Sequence, residues 1–147
     1  MKITLSIDIS SKPKEVFSRI DDQDKAMQWQ KAVKGGEIIK ETKEKIGTTF
    51  REELEENGKS LVMFGEIIDY IPDKLIAFKL ESSIHTVYVN YSVYGNNNGS
   101  TLTVDTNIKW IVPMNLISLI IGNKIKTKII RQTKSELSEL KRLCETE

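Results

Sequence analysis

"NYSVYGNNNGSTLTVDTNIKW", residues 90–110, decides how the rest of the chain is read. Leu102, Val104, Thr106, Ile108 and Trp110 alternate with Thr101, Thr103, Asp105, Asn107 and Lys109, the period of a strand with one face turned inward. GNNNGS at 95–100 is a turn, so this strand folds back antiparallel on IHTVYVNYSVY. The pattern after Pro113 is helical to about residue 144. Working backward, KLIAFKLE and SLVMFGEIIDYI flank a Pro72-Asp73 turn, TTFREELEE meets them at the hairpin signal Asn57-Gly58, and EIIKE leads to Gly47. Gly35-Gly36 breaks the chain before these strands. At the start, Ile3, Leu5, Ile7 and Ile9 alternate as another strand. SSKPKEVFSRI predicts a short helix with Ser11 as N-cap and Pro13 in its first turn, and a second helix over about 22–29 ends near Trp29. The order is strand, two short helices, about six antiparallel strands and one long helix: an α+β fold with helices on one face of the sheet.

No repeat or linker divides residues 1–147, so one domain is expected. The alternating N-terminus lacks the apolar core of a signal peptide, and the mature chain is expected to begin at Met1. The charge-free residues 111–122 contain Pro113, Asn115 and Ser118 and fall short of the roughly 20 apolar residues of a span. Cys144 has no partner for an internal disulfide, which suits a reducing cytoplasm and a buried structural thiol. With 22 Lys plus Arg against 21 Asp plus Glu, the overall charge gives no reason to expect nucleic acid. Locally, REELEE at 51–56 is acidic, whereas KIKTKIIRQTK at 124–134 carries cations and no anion; such runs are ordinarily solvated faces.

From end to end, this order resembles the START-like, or SRPBCC, superfamily, which includes the Bet v 1-type and polyketide cyclase/dehydrase-like proteins. The local echoes are ISSKPKEVFSRIDD, MQW, GEIIDYIPDKLIAF, NYSVYGNNNGSTLTV and ELKRLCE. The resemblance implies a helix-grip fold: a strongly curved antiparallel sheet of about seven strands around a long C-terminal helix, enclosing an apolar cavity for lipids, polyketides or other hydrophobic molecules. Some members of the superfamily are cyclases or dehydratases, so the fold alone assigns no activity.

The sequence contains no P-loop, dinucleotide fingerprint, HExxH, GxSxG or cysteine pair, and a single His85 excludes a multi-histidine metal site; no cofactor or metal is called for. Chemistry must come from polar residues on inward faces. Glu52 shares a face with Phe50 and Leu54, so it is either a carboxylate in an apolar wall, with a raised pKa suited to acid/base work, or is turned to water by a bulge. His85 is in register with Val87, Val89, Tyr91 and Val93 but sits at a strand end, the place of a rim residue as readily as of a catalyst. Tyr91 offers a hydroxyl to a ligand or simply fills core.

The long helix poses a problem of phase. Ile125, Ile129, Ile130, Thr133, Leu137, Leu140 and Cys144 form one apolar stripe; continued backward, that face reaches Lys126, Gly122, Leu119, Ser118 and Asn115. Leu116, Ile117, Ile120 and Ile121 then face away, in line with Lys124, Lys128 and Arg131. Either the helix kinks near Gly122-Asn123 and turns the isoleucines inward, or it is continuous and exposes an apolar patch beside a basic stripe, suited to an anionic membrane surface or a homodimer.

Three functional readings are open. The first is binding, sequestration or transfer of a small hydrophobic ligand, lined by Trp29, Phe50, Met63, Ile67, Phe78, Val87, Tyr91, Val104 and Trp110, with Glu52 and His85 as polar handles and Leu119 near the mouth. The second is a cyclase or dehydratase in which Glu52 or His85 moves protons. The third is an interaction module or homodimer using the patch formed by Leu116, Ile117, Ile120 and Ile121.

Overall fold

A single antiparallel sheet of seven strands dominates a computed structural model of the chain, which describes residues 1–56 and 58–146. In chain order the elements are β1 (Lys2–Ile9), α1 (Pro13–Asp21), α2 (Gln23–Ala26), β2 (Val33–Lys40), β3 (Thr49–Glu56), β4 (Lys59–Ile71), β5 (Leu75–Glu81), β6 (His85–Asn96), β7 (Gly99–Trp110) and α3 (Met114–Glu145). The strand order is β1-β7-β6-β5-β4-β3-β2, leaving β1 and β2 as the two edges of an unclosed sheet. Consecutive strands from β2 to β7 pair as hairpins, and only β1 is brought in from a distance. This is the α+β, helix-grip architecture expected from the sequence.

Alternation places the side chains. In β7, Leu102, Val104 and Ile108 are buried, and their register partners Val93, Tyr91 and Val87 in β6 share that face. A bulge between Ile67 and Asp69 changes the parity of β4: Met63, Gly65 and Ile67 point inward before it, and Tyr70 does so after it. Gly65 lies opposite Phe50, and a Cβ there would overlap the Phe50 ring, so the glycine makes room for the aromatic across the strand pair.

Three sequence expectations are corrected locally. Gly35-Gly36 does not break the chain before the strands but lies inside β2, paired with Glu53 and Glu52 of β3. Lys12, not Ser11, occupies the N-cap of α1; the Ser11 hydroxyl instead donates to the Cys144 carbonyl at 2.9 Å, fastening the start of α1 to the end of α3. The second helix is a single turn, capped by Asp22, whose carboxylate accepts from the Lys25 N–H; turns carry the chain on to Trp29. Asn57 of the Asn57-Gly58 turn lies outside the described residues, and β3 and β4 pair up to Glu56 and Lys59.

Among the described residues the core has two parts. The larger joins Val16, Phe17 and Ile20 of α1, Trp29, Leu102 and Val104 to Leu137 and Leu140 of α3. The smaller gathers Met63, Val87 and Ile108 at the opposite end, with Trp110 and Ile129 packed against it. α3 answers the question of phase in a way neither alternative anticipated. Its backbone leaves helical geometry at Ile121 (φ −115°, ψ 17°), so the kink is present. Yet Leu116, Ile117, Leu119, Ile120 and Ile121 all remain exposed, because the bend leaves the first turns clear of the sheet and does not rotate them onto it. After the bend the expected stripe holds, with Leu137, Leu140 and Cys144 buried.

Candidate functional site

A cavity of about 140 Å³ lies between the concave face of the sheet and the α1–α2 segment. Strand parity supplies its floor: Phe50 and Glu52 from β3, Ile67 from β4, Ile76, Phe78 and Leu80 from β5, and Val89 and Tyr91 from β6. Ile20, Asp21, Gln23, Ala26, Met27 and Gln30 cover it, and Val33, Ile38, Glu41, Lys45 and Thr48 complete the side toward the β2 edge. Edge-to-face contacts link Trp29 to Tyr91, Tyr91 to Phe78 and Phe78 to Phe50, with ring centroids 6.1, 6.2 and 5.7 Å apart. This aromatic row gives the cavity a rigid apolar wall.

The polar groups are few. Glu52 points inward, and loss of solvent pushes its pKa up to about 7, with no cation contributing. The Tyr91 hydroxyl shares a hydrogen bond with the Gln30 side chain; burial raises its pKa, and the charges of Glu136 and Glu52 raise it further. Glu136 of α3 accepts the Lys31 N–H at 2.8 Å; burial raises its pKa, and this backbone donor pulls against the rise. At the other side of the cover, the Tyr70 hydroxyl donates to Asp21 at 2.9 Å, and its pKa is pushed up to about 12, first by burial and then by that bond. The loop after β2 is pinned where it meets the cavity. Gly47 N–H donates to the Ile67 carbonyl at 2.8 Å and Ile67 N–H donates to the Thr48 carbonyl at 2.9 Å, while Lys45 and Gly47 adopt positive φ to make the turn.

Of the residues singled out in the sequence, Phe50, Glu52, Ile67, Phe78 and Tyr91 come together on this cavity. Trp29 stands behind Tyr91, its indole N–H donating to the Arg19 carbonyl at 2.8 Å, and Val104 belongs to the same core. Met63, Val87 and Trp110 belong to the smaller cluster and not to the cavity lining. His85 is there too: its Nδ1 lies 2.7 Å from the Ser82 hydroxyl, its ring 5.0 Å from Trp110, and burial lowers its pKa. His85 is therefore off the lining of the cavity that Glu52 faces. Leu119 is 82% exposed and off the lining, for the reason the bend in α3 gives. Leu80 and Val89 share the parity of the lining residues expected from the sequence and are accessible to the same reasoning. Gln23, Gln30, Glu41 and Lys45 are not, since they come from the single turn of α2 and from loops, which are too short or irregular to show a period. Among the described residues no cluster of His, Cys, Asp or Glu could hold a metal ion, and no helix is long and apolar enough to cross a membrane.

Neither a family model nor a curated protein matches the sequence. The fold, in contrast, has many counterparts among solved structures. A START superfamily protein from Mycobacterium smegmatis superposes with a TM-score of 0.81 over 98% of this chain and 97% of its own, at 16% identity. The ZhuI aromatase/cyclase from Streptomyces sp. R1128 gives 0.80 over 99% and 93% at 12% identity, and Ara h 8.0201 gives 0.67 over 95% and 97% at 14%. The chain has the START-like, SRPBCC-type helix-grip fold, as its sequence resemblance implied.

Proposed function

We propose that this START-like fold binds a small, mostly apolar molecule in the cavity under α1 and α2, holding it by one hydrogen-bonding group. The observation that carries the reading is Glu52: a carboxyl with no cation contributing to its charge state, set in an aromatic and aliphatic wall beside empty volume. At a pKa of about 7 it offers either a proton or a lone pair, and so accepts a hydroxyl, a carbonyl or an amine. The size narrows the ligand. About 140 Å³ is close to the roughly 150 Å³ of an engineered cavity that takes one benzene ring, so a single ring fits, whereas a longer lipid or polyketide must extend past Ile38 and Lys45.

A cyclase or dehydratase activity is the second reading, favoured by the same carboxyl, because a group titrating near neutrality suits general acid/base work. Its candidate proton partner is Tyr91 on the same cavity, in place of His85.

Thermal unfolding with phenol as probe tests the binding reading. Phenol raises the melting temperature of the native chain and leaves that of Val33→Trp, which fills the cavity, unchanged. Native mass spectrometry of gently purified protein then identifies the molecule carried. A null thermal shift together with an empty spectrum removes the reading.

A further inference from the structure

The opening turns of α3 present an apolar surface with no cover from the sheet. Leu116, Leu119 and Ile120 are 58, 82 and 85% exposed, and Val112, just before the helix, is 70% exposed. A contiguous patch of this kind on a chain of ordinary composition marks a contact surface. The next turns of the helix identify the contact. Lys124, Lys126, Lys128, Arg131 and Lys134 are all exposed, and no Asp or Glu occurs between Asp105 and Glu136. The chain as a whole carries a formal charge of only +1, so this stretch is a local concentration of positive charge.

Two kinds of occupant suit an apolar patch, and charge decides between them. A second copy of the chain packed on this patch would bring no carboxylate of the same stretch to the cationic turns, since residues 106–135 hold no Asp or Glu, and would leave their charge unanswered. An anionic bilayer satisfies both features at once: the apolar side chains enter the boundary between headgroups and acyl chains, and the cations meet lipid phosphates. The bend at Ile121 separates the two parts, with the charge-free turns before it and the cationic turns after it. We propose that the N-terminal end of α3 is a peripheral docking surface for anionic lipid bilayers. This role is separate from the cavity and does not depend on what the cavity holds.

Sedimentation with vesicles of phosphatidylcholine, with and without phosphatidylglycerol, tests it on the full chain. The protein pellets with phosphatidylglycerol vesicles, progressively less as salt is added, and not with phosphatidylcholine alone. Lys124→Glu with Arg131→Glu weakens binding at least ~tenfold, since each cation at an anionic surface is worth about fivefold. Leu119→Asp with Ile120→Asp abolishes it. All four positions are exposed, so circular dichroism and the phenol response of these variants match the native chain. Three results overturn the proposal: no pelleting with either vesicle, equal pelleting with both, or a dimer in analytical ultracentrifugation that Ile120→Asp dissociates while vesicle binding is absent.

Discussion

The two ends of α3 are made of similar residue types and have opposite fates. At the C-terminal end, Leu137, Leu140 and Cys144 are buried, Ser11 donates to the Cys144 carbonyl, Ser10 N–H donates to Glu145 at 2.8 Å, and the Lys141 ammonium donates to the Asp8 carbonyl at 2.8 Å. At the N-terminal end, leucine and isoleucine face water. The same side chains stabilise the fold at one end and are held in reserve at the other. Hydrophobicity along a helix therefore does not say where the core is; the partners across the gap do.

Truncation at each end gives the sharpest contrast. Leu140→Ala, at a site with no exposure, lowers unfolding free energy by about 2–5 kcal/mol in a urea titration, whereas Ile120→Ala, at 85% exposure, stays within about 0.5 kcal/mol. Comparable losses at both positions would show that the first turns do pack.

Next in size is Glu52, which extends the comparison to the cavity. Its folded pKa of about 7 exceeds the ordinary glutamate value of 4.5, so the folded state holds its proton where the unfolded chain has released it. Stability attributable to this group falls as pH rises from about 4.5 to 7 and is flat above, a total of about 3 kcal/mol. Glu52→Gln removes that slope and stabilises the chain at pH 8; an unchanged pH profile would mean that Glu52 reaches solvent.

A smaller effect is expected at Gly65→Ala, where the new methyl meets the Phe50 ring. The ring must move into the cavity, costing about 1–3 kcal/mol and blunting the phenol response. If stability falls and the phenol response is unaltered, the ring has moved elsewhere.

How much of this is legible in the sequence depends on which physical signal each part carries. Alternation in residues 49–56 is enough to turn Glu52 inward, because Phe50 and Leu54 share its parity and no bulge intervenes. In β4 the bulge after Ile67 resets the parity, so Tyr70 reaches Asp21 from a position that simple alternation assigns to the other face. Asp21, Gln30 and Lys45 reach the cavity from helix ends and turns, where neither period applies. Alternation gives His85 the same parity as the lining residues, yet it lies off the cavity that Glu52 faces, for a related reason. Inward parity is a property of the whole face, and the sheet is long enough for that face to serve two clusters that meet at Leu80 and Val89. In α3 the phase of the apolar stripe locates the bend but treats it as a rotation only; a bend also lifts the helix away, and lifting leaves the isoleucines exposed.

The chain has two tryptophans, and the division of the core assigns one to each end. The Trp29 indole N–H is committed to the Arg19 carbonyl and its ring meets Tyr91 edge-on, whereas the buried Trp110 N–H has no acceptor among the described residues and lies just before the unpacked turns of α3. The molecule thus contains two native chromophores with separable surroundings. Filling the cavity should perturb the Trp29 indole resonance, and docking on a bilayer should perturb that of Trp110. A single two-dimensional spectrum of the unlabelled-ligand complex can therefore tell occupancy from attachment without any added dye.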